Sequence, residues 1–147
     1  MASSVRGGKK LQQFINRGKR AGEKTQRVDV GFFSTARYPD GTGVAAVAAW
    51  NEFGTKFAPE RPFFRQAIEN MDESLPPLIR EYLDPKNPIM TPRVAAIVGE
   101  KAKAEIQSRI TLLSEPENSP ATVKAKGSDN PLIDKGFMRN SVAYRTE

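Results

Sequence analysis

The chain has 147 residues, which is enough for one domain with a hydrophobic core. Hydrophobic residues make up 38% of it and charged residues 27%, as in a typical globular domain, and its formal net charge is +6. The absence of Cys excludes disulfides and thiolate zinc sites, and the absence of His removes the side chain most used for proton transfer near neutral pH. We therefore expect no catalytic site, no metal and no cofactor.

The sequence also has no pattern typical of membrane insertion. Its longest apolar run, Val44–Trp50, is far shorter than the roughly 20 residues that span a bilayer as a helix. The first ten residues lack the apolar core of a secretory signal. We expect no membrane partner.

The positive charge is concentrated at the N-terminus. Residues 1–27 contain eight basic side chains and one acidic side chain, so the rest of the chain is close to neutral. Apolar residues at helical spacing predict a short amphipathic helix over Lys10–Arg20. We expect residues 1–26 to form a basic arm that either docks on an acidic protein surface or phosphate backbone, or lies solvated as a frayed terminus. The apolar face of its helix consists of Leu11, Phe14, Ile15 and Gly18. The candidate contacts of the arm with a partner or with DNA are Arg6, Lys9, Lys10, Arg17, Lys19 and Arg20.

A single folded domain is predicted over residues 27–147. It begins with Arg27–Phe33, where alternation and β-branched or aromatic residues predict a strand. Ser34–Gly43 follows and contains Y-P-D-G-T-G, a strong turn signal.

The most aromatic stretch of the chain is predicted to form a corner between two helices. The first helix covers Val44–Phe53, and Gly54 is expected to close it in a left-handed conformation. The second helix is predicted from Pro62 to about Glu73, with Pro76 and Pro77 interrupting or kinking it. We interpret the aromatic residues as a core nucleus on which the rest of the chain packs; the alternative is a platform for a partner. Glu52 and Arg61 are expected to orient the corner or to bridge to a neighbouring subunit. The candidate corner or interface residues are Trp50, Asn51, Glu52, Phe53, Gly54, Arg61, Pro62, Phe63 and Phe64.

The C-terminal half contains the clearest helix. Thr91 is a plausible N-cap before Pro92, and an apolar stripe continues to about Leu113. The composition of Ser114–Pro131 predicts a long mobile loop. Ser141–Thr146 is predicted to form a closing strand paired with Arg27–Phe33.

Three segments in order along the chain form a recognisable pattern. They are an Asn-Glu-Phe-Gly-Thr corner at Asn51–Thr55, an Arg-Pro-Phe helix start at Arg61–Phe63, and a Leu-Ile-Asp-x-Gly-x-x-x-x-Ser segment at Leu132–Ser141. Together they resemble tailed-bacteriophage neck and tail-completion proteins, a group that includes the Mu-like virion morphogenesis proteins and minor tail proteins. Lys135 departs from the pattern, since the family usually has Thr before the Gly.

This resemblance implies a structural virion protein and not an enzyme. It implies an α+β fold in which a small antiparallel β-sheet is packed by helices on one side, with the long loop and the basic arm as additions. The chain would form a homo-oligomeric ring, six-fold like the tail, in the neck of a virion assembled in the host cytoplasm. Its partners would be the head connector or adaptor on one side and the tail terminator or tail tube on the other. The basic arm would contact passing DNA without reading its sequence.

Two alternatives stay open at this point. Within the same neck, the chain could be a tail terminator or a head-closure protein. From another class, it could be a nucleic-acid-binding module that uses the basic N-terminal arm.

Overall fold

A computed structural model describes residues 26–86 and 89–147 of the protein. Residues 1–25 of the predicted basic arm, which include its helix at Lys10–Arg20 and all its candidate contact residues, lie outside the described residues. The described part is an α+β fold, as predicted. Its elements in chain order are β1 (Val28–Gly31), α1 (Val44–Phe53), α2 (Phe63–Tyr82), α3 (Pro92–Leu112), α4 (Pro120–Lys126), α5 (Phe137–Asn140) and β2 (Ala143–Thr146).

The two strands form an antiparallel pair, which confirms the predicted pairing of the two ends of the domain. Val28 lies opposite Thr146 and Gly31 opposite Ala143. Both strands are shorter than predicted. β1 ends at Gly31 because its φ of 144° turns the chain out of the extended conformation. β2 starts late because the amide of Val142 still donates to the carbonyl of Arg139 in the turn after α5.

Helix α3 is the central element of the fold. The prediction that the rest of the chain packs on the corner at Val44–Phe64 is therefore wrong. α3 contacts α2, both strands and α5. Thr91 caps it as predicted, because its Oγ1 accepts a hydrogen bond from the amide of Val94 at 3.2 Å. The predicted apolar stripe is buried along the whole helix, and Ile106 and Ile110 are fully enclosed. The largest contiguous apolar face therefore determines which element the others pack against.

Close packing of the sheet on α3 depends on a glycine inside the helix. A methyl group at Gly99 would lie 2.7 Å from Cγ and Cε2 of Tyr144 on β2, well inside van der Waals contact. In an exposed helix, changing Gly to Ala stabilises by about 0.5–1 kcal/mol. Here we expect Gly99→Ala to destabilise the domain by about 1–3 kcal/mol, because the Tyr144 ring must move.

A double-mutant cycle measured by urea unfolding checks this prediction. In a Tyr144→Ala background the overlap is absent, so Gly99→Ala should become neutral or stabilising. An equal loss of stability in both backgrounds would show that the ring contact is not the reason for the glycine.

Two predictions about the helices are wrong. α2 does not end near Glu73 as predicted, because it continues through Pro76 and Pro77 to Tyr82. Both prolines are exposed, while Leu75 before them and Leu78 after them are half-buried, so packing on both sides of the pair holds the helix together.

The segment at Ser114–Pro131 is not a structureless loop, because it contains α4. Ser119 caps this helix by accepting a hydrogen bond from the amide of Thr122 at 3.3 Å. Pro120 occupies the first turn, and Gly127 closes the helix with φ 70° and ψ 16°. This combination of Ser, Pro and a later Gly is a helix signal that loop-like composition obscured.

Candidate interaction surface

Glu52, at the end of α1, joins the two helices of the corner. The residue is only 5% exposed, and its carboxylate accepts hydrogen bonds from the backbone amides of Phe64 at 2.8 Å and Arg65 at 3.2 Å. These amides belong to the first turn of α2, where backbone donors have no partner within the helix and the helix dipole favours a negative charge. The Arg65 guanidinium also donates to this carboxylate, with Nε 2.8 Å from Oε1. Glu52 is therefore a side-chain cap supplied by the preceding helix.

Arg61 connects the corner to the segment before α4. It is 8% exposed, and its guanidinium donates to the carbonyl oxygens of Pro116 at 3.0 Å and Glu117 at 3.3 Å, and to Oδ1 of Asn118 at 3.3 Å. Its backbone amide donates to the carbonyl of Asn51 at 2.6 Å. Burial lowers the pKa of Arg61, because the charged form is partly removed from water and its acceptors are neutral. The side chain serves as an anchor for the chain around residues 116–118.

We expect Arg61→Ala to destabilise the domain by about 1–3 kcal/mol, since it removes a buried side chain and leaves part-buried acceptors at residues 116–118 without their donor. The loss of stability should be largest near the anchored segment. Relative to the natural chain, the deuterium exchange rates of amides in residues 114–131 should therefore rise more than those of amides in α3. Arg80→Ala is a suitable control, because Arg80 is exposed in the last turn of α2 and its removal should change stability by about 0.5 kcal/mol or less. Equal exchange rates in the two variants would rule out the anchoring role.

The aromatic residues of the corner fall into two groups, which corrects their interpretation as one core nucleus. Phe63 is fully buried and makes edge contacts with Phe32 and Phe64, each with ring centroids 6.2 Å apart. Trp50, Phe53 and Phe57, by contrast, are 53%, 69% and 88% exposed.

The exposure of the first helix's aromatic residues follows from which side of it is buried. The inward side of α1 consists of Val44, Ala48 and Glu52, one residue per turn. Trp50 and Phe53 fall on the other side. We use "outer face of α1" for the exposed set Ala45, Ala46, Ala49, Trp50 and Phe53, which contains no polar residue.

An apolar groove lies beside the outer face of α1. It has a volume of about 450 Å³ and lies between α1, α2 and the end of β1; we call it the α1–α2 groove. Its walls include Phe53, Phe64 and Ile68, and Ile68 is itself exposed. Glu52 and Arg65 are the charged residues of its lining, and they bind each other.

A second, more polar cavity brings together the three segments of the sequence pattern. Its volume is about 510 Å³. Asn51 lines it from the first segment, Arg61 from the second, and Asp134 from the third, and Trp50 lines it from just before the first segment. The segments are therefore neighbours in space although about 70 residues separate the second from the third. The sequence pattern describes one structural unit.

The two basic residues of this cavity, Arg61 and Lys126, donate hydrogen bonds to backbone carbonyls. Lys126 donates from Nζ to the carbonyl of Asn130 at 2.9 Å, and burial lowers its pKa. Burial also raises the pKa of Tyr38, and the nearby Asp134 carboxylate adds to the shift. In the parts of the chain that the structure describes, no group of three or more His, Cys, Asp or Glu residues is placed to hold a metal ion.

The remaining predicted corner residues shape the backbone at or near the helix ends. Asn51 donates from Nδ2 to the carbonyl of Val47 at 2.9 Å, and Pro62 is the residue that precedes α2. Gly54 is not in the predicted left-handed helical conformation, because its φ of 71° is combined with a ψ of 176°. Sequence reasoning missed Ile68 and Asn130. Asn130 accepts from the amides of Leu132 and Ile133, each at 3.0 Å, and Asn-Pro before an apolar pair is the signal that indicates this turn.

Comparison with known proteins finds no protein family, no curated protein and no solved structure that matches this chain. Within residues 26–86 and 89–147, none of the helices combines the length and the apolar character that crossing a bilayer requires.

Proposed function

We propose that this chain is a structural protein of a tailed-phage virion, a tail-completion or neck subunit that assembles into a ring between the head connector and the tail. The observation that carries the proposal is the outer face of α1. An amphipathic surface helix normally directs polar residues outward, whereas this helix exposes three Ala residues, a Trp and a Phe. Contiguous exposed apolar surface of this kind marks a protein–protein contact.

The position of this face supports the phage assignment in particular. The outer face of α1 leads directly into Asn51–Thr55, the first segment of the resemblance. The other two segments border the cavity beside it. The pattern that resembles neck and tail-completion proteins thus adjoins the helix that presents the apolar face.

A head-to-tail joining assay tests the proposal. A phage with a nonsense mutation in this gene should produce filled heads and complete tails that stay separate in electron micrographs. Supplying the full chain from a plasmid should restore joined particles, and the chain should be present in purified virions. Normal yields of infectious particles without the protein would contradict the proposal.

The arm provides a second test. Deleting residues 1–10 should leave the domain folded, with an unchanged unfolding transition, while reducing the yield of joined particles. Full activity of the truncated protein in the same complementation assay would remove the arm from the assembly mechanism.

The competing function, a nucleic-acid-binding module, has a different signature. The charge outside residues 1–27 is close to neutral, so binding would depend on the arm. Strong, salt-dependent gel shifts at physiological ionic strength that disappear on deletion of residues 1–26 would favour that alternative. The defect of the nonsense mutant would identify the other neck roles. Loss of a tail terminator should give tails with an open end, and loss of a head-closure protein should give heads that leak DNA.

A further inference from the structure

The outer face of α1 and the α1–α2 groove form one continuous apolar surface. Ala45, Ala49 and Phe53 belong to both, and Ile68 extends the surface onto α2. The small side chains of α1 allow the backbone of an occupant to approach closely. The charged residues of the lining, Glu52 and Arg65, already bind each other, so an occupant gains most by inserting apolar side chains.

We propose that this groove receives residues 11–18 of a neighbouring copy of the chain, with Leu11, Phe14 and Ile15 as the inserted side chains. The proposal rests on the proposed ring and identifies the contact between successive subunits. The α1–α2 groove is one half of the interface and the basic arm is the other.

The chemistry of the two halves is complementary. The residue spacing over Lys10–Arg20 predicts a narrow apolar stripe bordered by basic residues, including Lys10 and Arg17. Next to Ile68, α2 exposes Glu69 and Asp72, the latter one turn further along the helix. Acidic side chains therefore lie beside the apolar groove, where the basic flanks of the stripe would reach them.

The direction of β1 favours a neighbouring subunit over the arm's own groove. Val30, Gly31 and Phe32 line the groove, so the chain runs along β1 towards it. The arm leaves from the opposite end of the strand, at Gln26. Ten residues lie between Ile15 and Gln26, and the eleven residue steps that join them can span about 36 Å when extended, which is long enough to reach a neighbouring copy. Contact between two different surfaces of one chain is head-to-tail, the arrangement that closes rings.

Disulfide trapping with two different chains tests this contact. The natural sequence contains no Cys, so each introduced thiol is the only one in its chain. A tagged full-length chain carrying Phe14→Cys is mixed with an untagged chain carrying Ala49→Cys and oxidised. Docking in a neighbouring copy predicts a covalent heterodimer. The control replaces Ala49→Cys with Ala121→Cys, which is exposed on α4 away from the groove, and should give at least tenfold less product.

Substitutions in the groove give an independent readout. Phe53→Asp should weaken self-association, measured by sedimentation, by at least about tenfold, the scale expected for losing one buried aromatic contact. Phe57→Asp makes the same chemical change at a more exposed site outside the groove and should leave self-association within about twofold of the natural chain. On the arm, Phe14→Asp should weaken self-association as much as Phe53→Asp does, whereas Gln13→Asp should have as little effect as Phe57→Asp.

Each outcome assigns failure to one claim. The docking contact would be overturned if the heterodimer did not exceed the control level in the purified protein or in particles assembled during infection. That result would leave the proposed neck function intact. A disulfide that forms only when both thiols are on one chain would also overturn it, because the arm would then occupy its own groove. Efficient trapping combined with normal virion yield in the nonsense mutant would support the contact and reject the neck function.

Discussion

Replacing Gly54 with Ala is expected to cause one of the largest losses of stability of any single substitution in the domain. Its φ of 71° and ψ of 176° lie in a region that essentially only glycine occupies. A methyl group there would lie 2.8 Å from the backbone nitrogen of Glu60 and 3.0 Å from the carbonyl oxygen of Ala58. Backbone atoms cannot rotate away as a side chain does. We expect a loss of roughly 3–5 kcal/mol in the free energy of unfolding, from strain and overlap together.

Gly127→Ala is the matched control for this prediction. Gly127 has nearly the same φ, 70°, but its ψ of 16° is left-handed helical, and no atom lies within 4 Å of the added methyl group. Its substitution should cost only about 1–2 kcal/mol. Urea unfolding of both variants separates the two contributions. Equal losses would show that conformational strain alone, and not the tight connector between α1 and α2, accounts for the glycine at position 54.

Removing the Glu52 carboxylate is expected to have the second large effect. Glu52→Ala leaves the amides of Phe64 and Arg65 without an acceptor in a part-buried location and removes the favourable charge at the start of α2. We expect a loss of about 2–4 kcal/mol. Glu52→Gln keeps one acceptor oxygen but turns an NH₂ group towards backbone donors, so its cost should be intermediate.

Two neighbouring substitutions identify the source of that loss. Arg65→Ala removes the ion pair but leaves the cap, and because Arg65 is half exposed it should cost about 1 kcal/mol or less. Glu60→Ala removes the exposed partner of Arg65 and should change stability by about 0.5 kcal/mol or less. Chemical denaturation of the three variants ranks them. A loss for Arg65→Ala as large as that for Glu52→Ala would attribute the effect to the ion pair and not to capping.

Elements with a strong local signal could be predicted from the sequence. The stripe of α3, its Thr91 cap and the alternation of β1 depend on residues close together in the chain, and the structure agrees with them. Errors arose where packing opposed a local rule. Pro76 and Pro77 are breakers in an isolated peptide, yet α2 continues through them because its buried side holds against α3.

For the candidate surface, too, some features could be predicted from the sequence and others could not. Residue types alone predicted that Val44–Phe64 forms a corner between two helices, that a glycine is needed at position 54, and that the first and last strands pair. Whether Trp50 and Phe53 lie inside or outside, and which groups Glu52 and Arg61 bind, was decided only by the tertiary structure. The reason is that burial depends on which face of α1 meets the rest of the chain. The partners of Arg61 lie 55 to 57 residues away, beyond the reach of any local pattern.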